Sequence, residues 1–273
     1  MKIFNILVAG ILLSTGLNAQ STEKNQQLVV PLNEPGKPYK LDVHLTMGSI
    51  TVNAYDGKDV IIDIVSERKR KDDDGEEKNG MKRISSSDNV DITAEQNNNK
   101  VSVYSNRPNR GVKLIIKVPK NASDIKLSST NDANIIVNDV SGALEITSTN
   151  GFINLFNVSG SVVANTVNGK VLVTFKSIDP KAAMAFSTLN GNIDVTFPAD
   201  LKANIKAKSD RGQVYTDFDV TVDKSQQPKT TKTNEGNMYR ITVEDWIYAK
   251  VGGGGPEMMM KNMNGNIYIH KAK

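Results

Sequence analysis

The sequence predicts an all-β chain wound as a single-stranded, parallel β-helix-like solenoid with coils of about 18 residues, and three observations predict it. First, Gly142, Gly151, Gly160 and Gly169 fall nine residues apart. Second, the positions two and four places after each of these glycines are Leu144, Ile146, Ile153, Leu155, Val162, Ala164, Val171 and Val173, apolar without exception. At the chain's 38% hydrophobic content, chance yields such a run about 0.0004 of the time. Third, residues eighteen apart are identical at the corners: Val140 with Val158, Ser141 with Ser159, Asn150 with Asn168. In a coil such residues lie above one another at the ~4.8 Å strand spacing, so selection acts on vertical columns. An antiparallel β-meander or sandwich remains the alternative, with each Asn-Gly a tight hairpin turn.

In chain order, residues 1–19 read as a cleavable signal peptide. Met1-Lys2 is followed by the short apolar run Ile6 to Leu13 and by Ala19 at the cleavage site. That run is too short to span a bilayer, so no membrane insertion is expected after cleavage. Residues 20–111 form an N-terminal β-region and cap, with Gly48 opening the segment Ile50-Thr51-Val52 and a polar loop over 66–89. Residues 112–273 form the repeat domain. There the corners are Gly142, Asn150, Gly151, Gly160, Asn168, Gly169, Asn190, Gly191, Asn264 and Gly265, with Gly48 their counterpart upstream. Glycine and asparagine accept the left-handed backbone that corners need, and aligned asparagines can hydrogen-bond along the stack. A second polar stretch, 223–236, reads as a loop, and Leu28 to Lys40 and Tyr268 to Lys273 are the candidate end caps that blunt the open edges.

Composition removes several functions. There are no cysteines, hence no disulfide, thiolate metal site, Cys nucleophile or acylated Cys. The 34 Lys+Arg and 30 Asp+Glu are interspersed and form no basic tract, so no nucleic-acid partner is expected. His44 and His270 are the only histidines and are far apart in the chain. No cofactor, metal or catalytic residue is expected. Asp72 to Glu77 fails the calcium-loop template, because Arg70 and Met81 fall where carboxylates are required. The compact mixed cluster Asp210, Arg211, Tyr215, Asp217 and Asp219 is the candidate ligand patch, since charged and aromatic groups alternate along a strand there.

The series Met47-Gly48-Ser49-Ile50-Thr51-Val52, Thr149-Asn150-Gly151, Val167-Asn168-Gly169, Gly253-Gly254-Gly255-Pro256 and Asn264-Gly265-Asn266-Ile267 resembles the DUF4097 family of bacterial β-strand-repeat proteins, which carry an adhesin label. The resemblance implies an exported or envelope β-solenoid and brings no catalytic residues. The expected function is therefore a cell-envelope or surface scaffold, periplasmic, surface-held or secreted. It would bind an envelope protein or surface glycan without catalysis. The alternatives are a carbohydrate-binding or carbohydrate-active protein using the face near Asp210 to Asp219, and a purely structural periplasmic element.

Overall fold

The structure, a computed structural model, describes residues 26–66, 77–78, 81–82, 90–107, 110–225, 229–235 and 238–273. The expected signal peptide and most of the 66–89 segment lie outside the described residues. Within them the chain is all β, and 19 strands join into one sheet.

That sheet is coiled. Among the described residues it forms eight tiers, each made of a leading and a trailing strand, with like strands of successive tiers paired in parallel. From one end they are Lys100–Ser105 with Val112–Pro119; Tyr39–Tyr55, which supplies both strands; Ala122–Asn131 with Ile135–Asn138; and Ser141–Ser148 with the first half of Ile153–Asn168. The second half of Ile153–Asn168 then joins Val171–Ile178. Met184–Asn190 with Ile193–Phe197, Glu257–Asn264 with Ile267–Lys271, and Ala203–Ser209 with Val214–Thr216 complete the stack. The parallel pairing decides for the solenoid over the meander. The eighteen-residue step holds from Ile135 to Ile153 to Val171.

Alternation along each strand sends one side chain in two into the core. On the trailing wall the inward column is Leu114, Ile50, Ile135, Ile153, Val171, Ile193, Ile267 and Val214, and all but Val214 are fully buried. The facing column is Val103, Val43, Leu127, Ile146, Ala164, Phe186, Met260 and Ala207. β-Branched and small residues suit this narrow slot. Where Ala164 leaves room, Phe186 packs edge-on against Phe175 and Phe197 at 6.4 and 6.3 Å between centroids.

Two tiers are out of chain order. Tyr39–Tyr55, which the sequence assigns to the N-terminal region, stands between the tiers at 100–119 and 122–138 and continues their columns. The C-terminal tier, expected as a cap over Tyr268 to Lys273, is instead interior: Glu257–Asn264 pairs with both Met184–Asn190 and Ala203–Ser209. A slot flanked on both sides satisfies both rows of backbone N–H and C=O groups, which an end position does not.

Antiparallel strands supply the ends instead. Asp59–Ser66 and then Gln26–Pro31 extend the trailing wall beyond Val112–Pro119, and Ile92–Asn97 extends the leading wall beside Lys100–Ser105. Buried Asn99 ties the chain there, accepting from the Glu34 N–H at 3.1 Å and donating to the Pro38 carbonyl at 3.0 Å. At the other end Ile247–Val251 and Val220–Val222 add to Ala203–Ser209. The segment read as a loop at 223–236 contains Lys229–Glu235, paired with Met238–Glu244 as a separate two-stranded sheet.

Candidate functional site

The corner residues sit one above another. Asn150 donates to Asn131 at 3.1 Å, Asn168 to Asn150 at 2.8 Å, Asn190 to Asn168 at 2.7 Å and Asn264 to Asn190 at 2.7 Å. Arg211 takes the asparagine's place in the last tier and donates to Asn264 at 3.4 Å. The accompanying glycines let tiers touch: a Cβ on Gly169 would lie 2.2 Å from the Gly151 carbonyl oxygen, and Gly191 stands in the same relation to Gly169. At the opposite corner Gly160 has φ +109° and rests on the carbonyl of Gly142. Gly48 and Gly265 belong to the asparagine corner, with Gly169 and Gly191, and are left-handed at φ +128° and +133°.

A second column was not read from the sequence. Ser129, Thr166, Thr188, Asn262 and Ser209 donate to the carbonyls of Gly48, Gly151, Gly169, Gly191 and Gly265 respectively, at 2.7 to 3.0 Å. Ser148 donates to Ala133 at 2.9 Å. The signal was present: a Ser, Thr or Asn stands two residues before each corner asparagine or arginine. Most buried polar groups are hydrogen-bonded, and these donate to the carbonyls at the corner turns.

The candidate patch divides. Asp210 pairs with Lys208 at 3.2 Å and lines a shallow cavity of ≈ 290 Å³ with Leu189, Lys261 and Met263. Arg211 belongs to the asparagine ladder. Buried Phe218 separates exposed Asp217 from exposed Asp219. Tyr215 and Asp217 alone share the outer side of the trailing wall, and there the fold brings in residues far away in sequence. Tyr215 stacks on Tyr268, its register partner, with centroids 5.4 Å apart and planes 12° apart. The His270 ring lies nearly parallel to Tyr268 at 6.1 Å. Its Nε2 is 3.6 Å from Asp194 Oδ1 and its Nδ1 is 3.8 Å from Asp217 Oδ2, so the imidazole stands between two carboxylates from the tiers on either side. Asp217 is held by the Lys271 N–H, which donates to its Oδ1 at 2.6 Å, and Tyr268 accepts from Asn266 at 2.8 Å.

The two outer walls differ in charge. The leading wall is laced with ion pairs, Lys40–Asp124 at 3.0 Å, Lys100–Asp42 at 2.9 Å and Lys126–Glu145 at 2.8 Å. Glu145 raises the Lys126 ammonium above its ordinary range through this hydrogen bond and its charge. Lower on the same wall Lys206 and Lys261 approach the Trp246 ring at 4.9 and 6.0 Å. On the trailing wall the outward column runs Thr51, Ile136, Asn154, Leu172, Asp194, Tyr268, Tyr215. It is uncharged from Thr51 to Leu172; past Thr51 it continues through Ile115 to Asp63, which pairs with Lys117 at 3.9 Å.

Residues 130–245 match the Toastrack DUF4097 family, the family that the glycine-corner series resembles. No curated protein matches the chain. Among solved structures, the chain is similar to one titled "putative cell adhesion protein" from Clostridium sporogenes ATCC 15579, at 14% identity and TM-score 0.42, covering 91% of this chain and 100% of that one. It is also similar to a "putative adhesin" from Bacteroides fragilis NCTC 9343, at 13% identity and TM-score 0.37, covering 92% and 98%. A "putative adhesin" from Parabacteroides merdae ATCC 43184 gives 7% identity and TM-score 0.29, covering 92% and 98%.

Proposed function

We propose that this chain, whose residues 130–245 match the Toastrack DUF4097 family, is an exported, non-catalytic scaffold of adhesin type, binding its partner through the outside of the stack. The observation that carries this reading is the filled interior. Apolar columns occupy the space between the walls through all eight tiers, so the surface offered to a partner is the outer one, held rigid by ladders on both sides of every interior tier. Division of the 210–219 cluster supports binding over turnover, because its carboxylates are directed to different surfaces and do not converge on one reacting atom.

Export rests on the sequence of residues 1–19, and shaving of intact cells tests it. A tag inserted between residues 66 and 89 would be followed under added protease, with a periplasmic protein as lysis control. Loss of the tag with the control intact supports surface display. Complete protection overturns the surface role and leaves a periplasmic binding or structural one.

A further inference from the structure

We propose that Tyr215, Tyr268, His270, Asp194 and Asp217 form a subsite for a neutral oligosaccharide on the outer trailing wall. The proposal deepens the binding-scaffold reading by naming the ligand class, and it depends on that reading only in treating this wall as a contact surface.

The argument starts from the end of the stack. Val214–Thr216 is the last strand of the trailing wall and, among the described residues, pairs only with Ile267–Lys271. One face of the Tyr215 ring is stacked on Tyr268. Among the described residues no further tier lies beyond the other face, and Tyr215 is 50% exposed. An open aromatic face on a rigid strand suits the C–H face of a pyranose, while the sugar's hydroxyls, projecting from its rim, require acceptors beside the ring.

Those acceptors are in place. Asp217 lies two residues after Tyr215, and the Lys271 N–H fixes its Oδ1. Its Oδ2 is left on the side of the His270 imidazole. Asp194 flanks the same imidazole from the neighbouring tier. Asp217 and the His270 imidazole therefore lie beside the Tyr215–Tyr268 ring pair on its Tyr268 side, and Asp194 stands one tier further in, as hydrogen-bonding groups along the wall that the pair opens.

The charge pattern selects the ligand. Two carboxylates repel acidic sugars, nucleotides and phosphates. Beyond Asp194 the column continues uncharged through Leu172, Asn154, Ile136 and Thr51. Beside it Asn138 donates to Asn53 at 2.7 Å. A track of amide, hydroxyl and aliphatic groups fits a neutral glycan lying along the stack. A basic peptide would find carboxylates on the leading wall and, on this one, only beyond the two ends of the track, at Asp63 and at Asp194 with Asp217.

The test uses the purified full chain, so that its result is independent of where the cell places the protein. Neutral hexasaccharides of glucose, galactose, mannose and N-acetylglucosamine are titrated in turn, read by the His270 imidazole resonances and by calorimetry. At least one binds, with a dissociation constant in the range of about 10 μM to 1 mM set by a shallow surface site. Tyr215→Ala weakens that binding by about tenfold or more, whereas Tyr215→Phe keeps it because the ring face remains. Asp217→Asn weakens it several-fold, and Lys126→Ala on the leading wall leaves it unchanged. Circular dichroism melting checks that each variant is folded. Absence of binding to all four sugars overturns the proposal. Equal binding by Tyr215→Ala overturns it as well, as does binding of a lysine-rich peptide in place of any sugar.

Discussion

Asn262 stands directly beside Thr188 in the buried polar column, yet the two side chains satisfy their position differently. Thr188 donates one proton to the Gly169 carbonyl at 2.9 Å and is complete. Asn262 donates to Gly191 at 3.0 Å and to Asn266 at 3.4 Å, while its Oδ1 is buried without a partner. A buried orphan acceptor costs about 1–3 kcal/mol. Asn262→Thr keeps the bond to Gly191 and removes the orphan. It raises stability by about 1 kcal/mol, a gain of about 2–4 °C in Tm by calorimetry for a chain of this size.

Removal of a hydroxyl from the same column has the opposite sign. Thr188→Val preserves shape but deprives the Gly169 carbonyl of its side-chain donor, at a cost of about 1–3 kcal/mol in urea unfolding. Asn168→Ala interrupts the exposed ladder, where water replaces the lost partners, and costs less, about 1 kcal/mol or below. Equal losses at the two positions would contradict the division between buried column and surface ladder.

Gly160→Ala destabilises for two reasons. At φ +109° an L-residue is strained, and the new Cβ would lie 2.3 Å from the Gly142 carbonyl oxygen. Strain of about 1–3 kcal/mol combines with a forced separation of two tiers. A loss of more than about 2 kcal/mol is expected by denaturant unfolding, against less than about 0.5 kcal/mol for Ala substitution at exposed Lys181.

The interior position of the C-terminal tier predicts the effect of truncation. Deletion of residues 257–273 exposes the inner edges of Met184–Asn190 and Ala203–Ser209 together. The 203–251 segment then loses its neighbour in the stack, and hydrogen exchange across it becomes fast. Were this segment a terminal cap, deletion would leave protection of Ala203–Ser209 unchanged.

Tyr39 connects the fold to alkaline pH. Its hydroxyl donates to the Pro119 carbonyl at 2.8 Å, and burial, with Tyr55 as a smaller contribution, pushes the phenol well above its ordinary value of 10.0. The folded state therefore retains a proton that the unfolded state loses. Stability from Tyr39 is complete below pH of about 10 and is lost as pH rises from there toward the folded value. Tyr39→Phe lowers stability at pH 7 by about 1 kcal/mol and flattens the decline between pH 10 and 11.5, measured by urea melts at each pH.

Coil length, inward columns and corner chemistry were legible in the sequence because they are local: strand alternation and the backbone freedom of Gly and Asn repeat with the chain. The polar column was legible in retrospect, since its Ser, Thr and Asn residues keep a constant offset from the corners. The site on the trailing wall was legible only in part. Tyr215 and Asp217 lie in one strand and its continuation, but Tyr268 and His270 follow more than fifty residues later in the chain, at distances no periodicity reports.

By itself, then, the sequence determined a parallel β-coil with glycine and asparagine corners, because each corner and strand depends on residues within one turn. Only the tertiary structure decided which tier stands beside which. Tyr39–Tyr55 and Glu257–Lys271 both enter the stack out of order, since a parallel strand gains most where both of its hydrogen-bonding edges are filled. That order of tiers carries Tyr268 and His270 to Tyr215, Asp217 and Asp194, and so creates a surface that no single stretch of the chain encodes.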